Sequence, residues 1–253
     1  MAYTSLTDVP RNLKEGIDWL IALKGADAEK NLKAMGSAVY DLLADKPVGF
    51  TEVPALENVK RISKEFLEKP ELKNQRSAKK LLKRYRAPMV KNLERFARYA
   101  GFNLESDYKN IIETRGVKPE DVVEDLFVAV YGCEKFLEKI KCPDKYESSY
   151  SSEATWESSC AQDPEACAAV LVGIAPMLYI GIRSLQDASR TAIWKGPSEN
   201  AKKRLVDVLK AVGYEEPQRC AGLSGSDVLK ALEAIDLHVL ITIYEFAGFW
   251  AFY

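Results

Sequence analysis

Five cysteines and a single histidine bound the chemistry open to this chain of 253 residues. Histidine is the commonest general base and zinc ligand, and His238 stands in an apolar segment between Leu237 and Val239. A catalytic use would pair it with a cysteine nucleophile and an acid such as Asp236 or Glu245, yet adjacency in sequence supplies no geometry. The plainer reading is a packed or surface helix histidine. Gly222-Leu223-Ser224-Gly225 matches a nucleophile elbow only in part, because it lacks the G-x-S-x-G spacing and a strand ahead of it. Walker, G-x-G-x-x-G, H-E-x-x-H and EF-hand spacings are absent, so no catalytic residue, cofactor or metal ligand is assigned and a non-enzymatic protein is expected.

The cysteines point elsewhere. Cys133 falls in the core phase of its helix and is expected to be a free buried thiol, whereas Cys142, Cys160, Cys167 and Cys220 lie beside polar or turn-like segments. Up to two disulfides among those four, in any of three connectivities, would suit an oxidising compartment; five ordinary reduced thiols are the alternative. No C-x-x-C occurs, which weakens zinc-ribbon and thioredoxin readings.

A basic run is the clearest local signal. Lys73, Arg76, Lys79, Lys80, Lys83, Arg84 and Arg86 follow one another without an intervening acid, and Lys91, Arg95 and Arg98 come next. Such clusters hold phosphates, sulfated glycans or anionic lipid headgroups, and Tyr85, Phe96 and Tyr99 could add stacking. Equally, Ala78, Leu81, Leu82 and Tyr85 can form a buried stripe with the cations as its solvated face. Over the whole chain, 36 Lys and Arg against 37 Asp and Glu leave a formal charge of −1. No global field recruits nucleic acid, and no nucleic-acid partner is expected.

The elements that position these residues are helical. Leu13, Ile17, Leu20 and Ile21 repeat at helical spacing, as do Leu32, Met35, Val39, Leu42 and Leu43. Another helix opens at Pro54, with Leu56, Val59, Ile62 and Phe66 on one side, and stops near Pro70. Further helices are expected over 71 to 86, 88 to 100 and 104 to 114, with a long one from Pro119 carrying Val123, Leu126, Phe127, Val130, Leu137 and Ile140. Residues 148 to 159 include six serines and read as an exposed loop that Cys160 ties down. Pro164 opens an apolar helix to about Ser189, in which Gly173, Pro176 and Gly181 predict a bend or break.

Its 17-residue uncharged stretch, Ala166 to Ile182, falls just short of a membrane span and reads as a core helix. Helices over 198 to 213 and from 226 onward complete the set, the last with Val228, Leu232, Ile235, Val239, Ile243 and Phe246 on one stripe. Thr7-Asp8-Val9-Pro10 and Thr51-Glu52-Val53-Pro54 read as a shared helix-start device. The fold class expected is therefore all-α: a single bundle of about eight to ten helices with one long Ser-rich loop. Residues 1 to 253 form one domain, with 1–140 and 164–253 as candidate halves joined by 141–163. The opening MAYTSLTDVPRNLKEG lacks a secretory n-region and h-region. The apolar ending AGFWAFY implies docking into the core or continuation into a longer protein.

Four stretches carry a family likeness: SLTDVPRNLKEGIDWLIALKG, TEVPALENVKRISKEFLEKPEL, YSSEATWESSCAQDPEACAAVLVGIAPMLYIGIRSL and AGFWAFY. Together they resemble the N-terminal region of Babesia variant erythrocyte surface antigens and related extracellular-matrix-binding-like surface proteins. The likeness covers most of the chain and is weakest from Asn74 to Gly116. It implies a polymorphic antigen on the surface of the infected erythrocyte, engaged in antigenic variation and host-cell or endothelial adhesion. Host antibodies and a host cell-surface protein or glycan would be its partners. Membrane attachment would come through a downstream anchor that this chain does not contain. The alternative function is an intracellular scaffold, in parasite or host-cell cytoplasm, binding partner helices or anionic membrane through residues 73 to 98.

Overall fold

The computed structural model describes residues 2–49, 51–86, 104–194 and 198–253. Local signals start the first helices. Asn12 accepts a hydrogen bond from the Glu15 amide and opens α1 (Leu13–Lys24), and Asp27 does the same for Lys30 at the head of α2 (Ala28–Ala44). Proline in the first turn opens α3 (Pro54–Leu67). Of the shared start device only the first-turn proline holds, at Pro54, because Val53 caps α3 without a side-chain bond and α1 begins at its Asn12 cap, beyond Pro10.

A turn leads to α4 (Arg76–Arg84), shorter than the helix expected over 71 to 86. The helix expected over 88 to 100 lies outside the described residues, and Lys91, Arg95, Arg98, Phe96 and Tyr99 with it. In place of one helix over 104 to 114 stand a 3-10 turn at Glu105–Asp107 and α5 (Ile111–Arg115), which Asn110 caps and Gly116 ends with a φ of 65°. Next come α6 (Pro119–Ile140), α7 (Trp156–Ser159), α8 (Pro164–Trp194) and α9 (Glu199–Ala211). The chain then closes through α10 (Gly225–Ala231), α11 (Leu237–Phe246) and α12 (Phe249–Phe252). The expected all-α class is what is found: among the described residues there are isolated bridges at Tyr3–Tyr150 and Lys141–Arg219 but no strand.

Two long helices organise the packing. α1, α2, α10 and α11 touch both α6 and α8, while α3, α4 and α9 pack against α8. One hydrophobic cluster consequently runs from Leu6 to Tyr253, and the candidate halves 1–140 and 164–253 share it. By length and composition α8 could cross a membrane, but 83% of its most apolar window is buried by neighbouring helices, which fits a core helix.

Three expectations need correction. α8 runs unbroken through Gly173, Pro176 and Gly181. Its glycines serve close packing instead: a Cβ at Gly173 would overlap Val59 of α3, and one at Gly181 would crowd Leu13 of α1. Pro176 donates no amide hydrogen, and Ser63 of α3 supplies a donor in that turn by bonding the Gly173 carbonyl. The expected continuous helix from 226 is instead divided. The chain turns at a 3-10 segment, Leu232–Ala234, and restarts where Asp236 accepts from the Val239 amide. α11 then meets α12 at Gly248, whose φ is 58°.

The Ser-rich segment is docked along one side, while Ser148, Ser152, Glu153, Glu157 and Ser158 stay exposed. Tyr3 bonds Ser149 and Ser151 through its backbone, the Leu6 amide donates to Ser159 Oγ, and Tyr150, Ala154 and Trp156 are buried. At the other end Phe249, Trp250, Ala251, Phe252 and Tyr253 are all buried, held by Gly49 and Thr51 amides and by Lys60, which donates to the Phe252 carbonyl.

Candidate functional site

The seven cations of the basic run separate into two sets once α4 forms. Ala78, Leu81 and Leu82 face the core, as their spacing predicts. Arg84 and Lys80 also turn inward, toward Asp107 in the 3-10 segment. Arg84 Nη2 stands 2.8 Å and Lys80 Nζ 3.5 Å from Asp107 Oδ2, while the Tyr244 hydroxyl donates to Oδ1. Asp107 is fully buried, so this carboxylate is tolerated only because cations and a hydroxyl surround it. Burial lowers the Lys80 pKa below its ordinary value, against the opposing pull of Asp107. Burial likewise drives the Tyr244 hydroxyl well above its usual value, with Asp107 adding to the effect. Arg84 is buried and Lys80 is about a third exposed, and neither lines the cleft described next.

Lys79 and Lys83 occupy the neighbouring face of α4, about 100° around the helix, and Lys73 and Arg86 join them from the turns on either side. These four line a concave cleft of about 550 Å³ together with Glu68, Asn74 and Leu82. All four cations are exposed, and none makes an ion pair among the described residues. Arg76 is exposed but does not line the cleft. Glu68 and Asn74 escaped the sequence reading because a search for cations passes over an acid at the end of α3 and an amide in the turn.

The cysteines also divide. Cys160, at the end of α7, is joined to Cys167, in the first turns of α8, with Cα atoms 5.7 Å apart. Cys142 and Cys220 are free, so one of the up to two disulfides expected among these four is present. The Cys142 amide donates to the Gln218 carbonyl and the Cys220 amide to Ile140, so backbone pairing holds these segments together. Cys133 is the buried free thiol expected, and burial pushes its pKa up to about 12.

His238 is exposed at the head of α11, with Nε2 3.5 Å from Asp125 Oδ1. Burial raises the Asp125 pKa, and His238 opposes that rise. No cysteine joins this pair. Ser224 of the rejected elbow caps α10, accepting from the Asp227 amide. In the interior, Lys14 bonds Asp18, the Glu147 carbonyl and Ser149 Oγ, and Tyr146 donates to Asp18. That network fastens the 146–149 segment onto α1. Among the described residues, no group of three or more His, Cys, Asp or Glu is placed to hold a metal. No protein-family model, curated protein or solved structure matches the chain.

Proposed function

We propose that the protein is a non-enzymatic helical ectodomain of a variant parasite surface antigen, displayed on infected erythrocytes. Antigenic variation and adhesion to host cells or endothelium would be its roles. The observation that carries this reading is the Cys160–Cys167 disulfide. A bond of this kind persists in oxidising surroundings and is rare where glutathione keeps thiols reduced. The resemblance of four stretches of sequence to the Babesia surface antigens supports the same location. The internal uses found for Asp107, Lys14, Asp18 and Ser224 support a module that works through the surface it presents.

The scaffold reading draws less support from α4. A helix that enters a membrane or binds a partner helix needs an apolar face, and Ala78, Leu81 and Leu82 already point into the core. Antibodies raised against the folded protein are expected to label intact infected erythrocytes. Labelling that appears only after permeabilisation would overturn the surface location and favour the scaffold. Protein recovered with thiols alkylated at harvest is expected to yield the Cys160–Cys167 peptide as a disulfide and Cys133, Cys142 and Cys220 as alkylated residues.

A further inference from the structure

We propose that the cleft bordered by Lys73, Lys79, Lys83 and Arg86 binds a sulfated oligosaccharide. The inference rests on the protein being a binding module, and it does not depend on where the protein is displayed. Four cations line one concavity that, among the described residues, has a single carboxylate, Glu68. Like charges lining one cleft repel one another, and a ligand with several separated negative groups relieves that repulsion. Lys80 and Arg84 are committed to Asp107, so the cations left to the cleft are Lys73, Lys79, Lys83 and Arg86.

The rest of the lining selects the ligand class. Glu68 can accept hydrogen bonds, and the Asn74 amide can both donate and accept. These groups suit sugar hydroxyls beside sulfate esters, whereas an inorganic anion would have no use for Glu68. Single-stranded nucleic acid needs aromatic stacking platforms. Tyr85, the aromatic residue between Lys73 and Arg86, is half-buried and packs edge-on against Tyr253, with ring centroids 5.0 Å apart. Insertion into a bilayer needs apolar side chains that can reach it, and a concave cleft shields its cations from a flat layer of headgroups. Among the described residues the one apolar side chain lining this cleft, Leu82, is buried, and the large exposed hydrophobics, such as Tyr131 and Trp194, lie on other helices.

A heparin-derived octasaccharide, titrated calorimetrically into the full chain at physiological salt, is expected to bind saturably. Lys79→Glu with Lys83→Glu should weaken that binding by about tenfold for each reversed cation, as expected for loss of charge-assisted hydrogen bonds. Lys202→Glu with Lys203→Glu makes the same change in net charge on exposed positions of α9 outside the cleft, and should leave binding within about twofold of the parent, since exposed charges that do not touch the ligand are screened at this salt. Circular dichroism confirms folding of both variants, and Lys79→Gln with Lys83→Gln provides a milder pair. Equal weakening by the two reversed pairs, or saturable binding of fully desulfated octasaccharide, would overturn the proposal. So would absence of octasaccharide binding together with capture by phosphatidylserine vesicles. None of these results would bear on surface labelling, so this inference and the proposed function fail separately.

Discussion

At the scale of single residues, Asp107 shows how a basic run can mislead. Seven cations in fourteen positions, from Lys73 to Arg86, read as one patch. Two of them instead compensate a carboxylate with no solvent exposure, which approaches from a segment some twenty residues away. Asp107→Asn keeps the shape and removes the charge, leaving Arg84 buried at 7% exposure without its counter-ion. Thermal and urea unfolding are expected to show a loss of about 3 to 5 kcal/mol. Adding Arg84→Met should recover part of it, because the unpaired charge goes too. Full additivity of the two losses would show that the pair is uncoupled.

At the scale of elements, α8 turns residues usually read as breakers into packing devices. Gly173 lets α3 approach, and Ser63 bonds the carbonyl of that same glycine within the turn loosened by Pro176. Gly173→Ala would force Val59 aside without changing any polar group. Its expected cost is about 1 to 3 kcal/mol, as for an overpacked core site. Paired with Val59→Ala, which vacates the space, the glycine substitution should cost less than it does alone. A double-mutant cycle on unfolding free energies measures the difference. The 83% burial of the apolar window gives the same lesson about hydropathy: α8 is long enough for a bilayer, yet helices supply its apolar surroundings.

At the scale of the whole molecule, one continuous core joins the two ends of the chain. α3 and α9, drawn from opposite halves, both pack on α8, and the Gly49 and Thr51 amides hold the backbone of α12. The chain is therefore expected to unfold in one transition, with coincident midpoints by circular dichroism and tryptophan fluorescence. Residues 1–163 alone should show no cooperative transition, because they lack α8; a sharp melt of that fragment would establish an independent half. Helical periodicity was enough to determine the all-α class, the placement of the long helices and most of the core, since an amphipathic stripe is a local property of neighbouring turns. Cys133 and the inward stripe of α4 were legible for the same reason. Only the tertiary structure decided that Cys160 pairs with Cys167, that the Ser-rich segment docks on Tyr3 and Leu6, and that the basic run divides into Asp107 partners and cleft. Each depends on which distant segments meet, and spacing within one segment carries no information about the charge or shape of what packs against it.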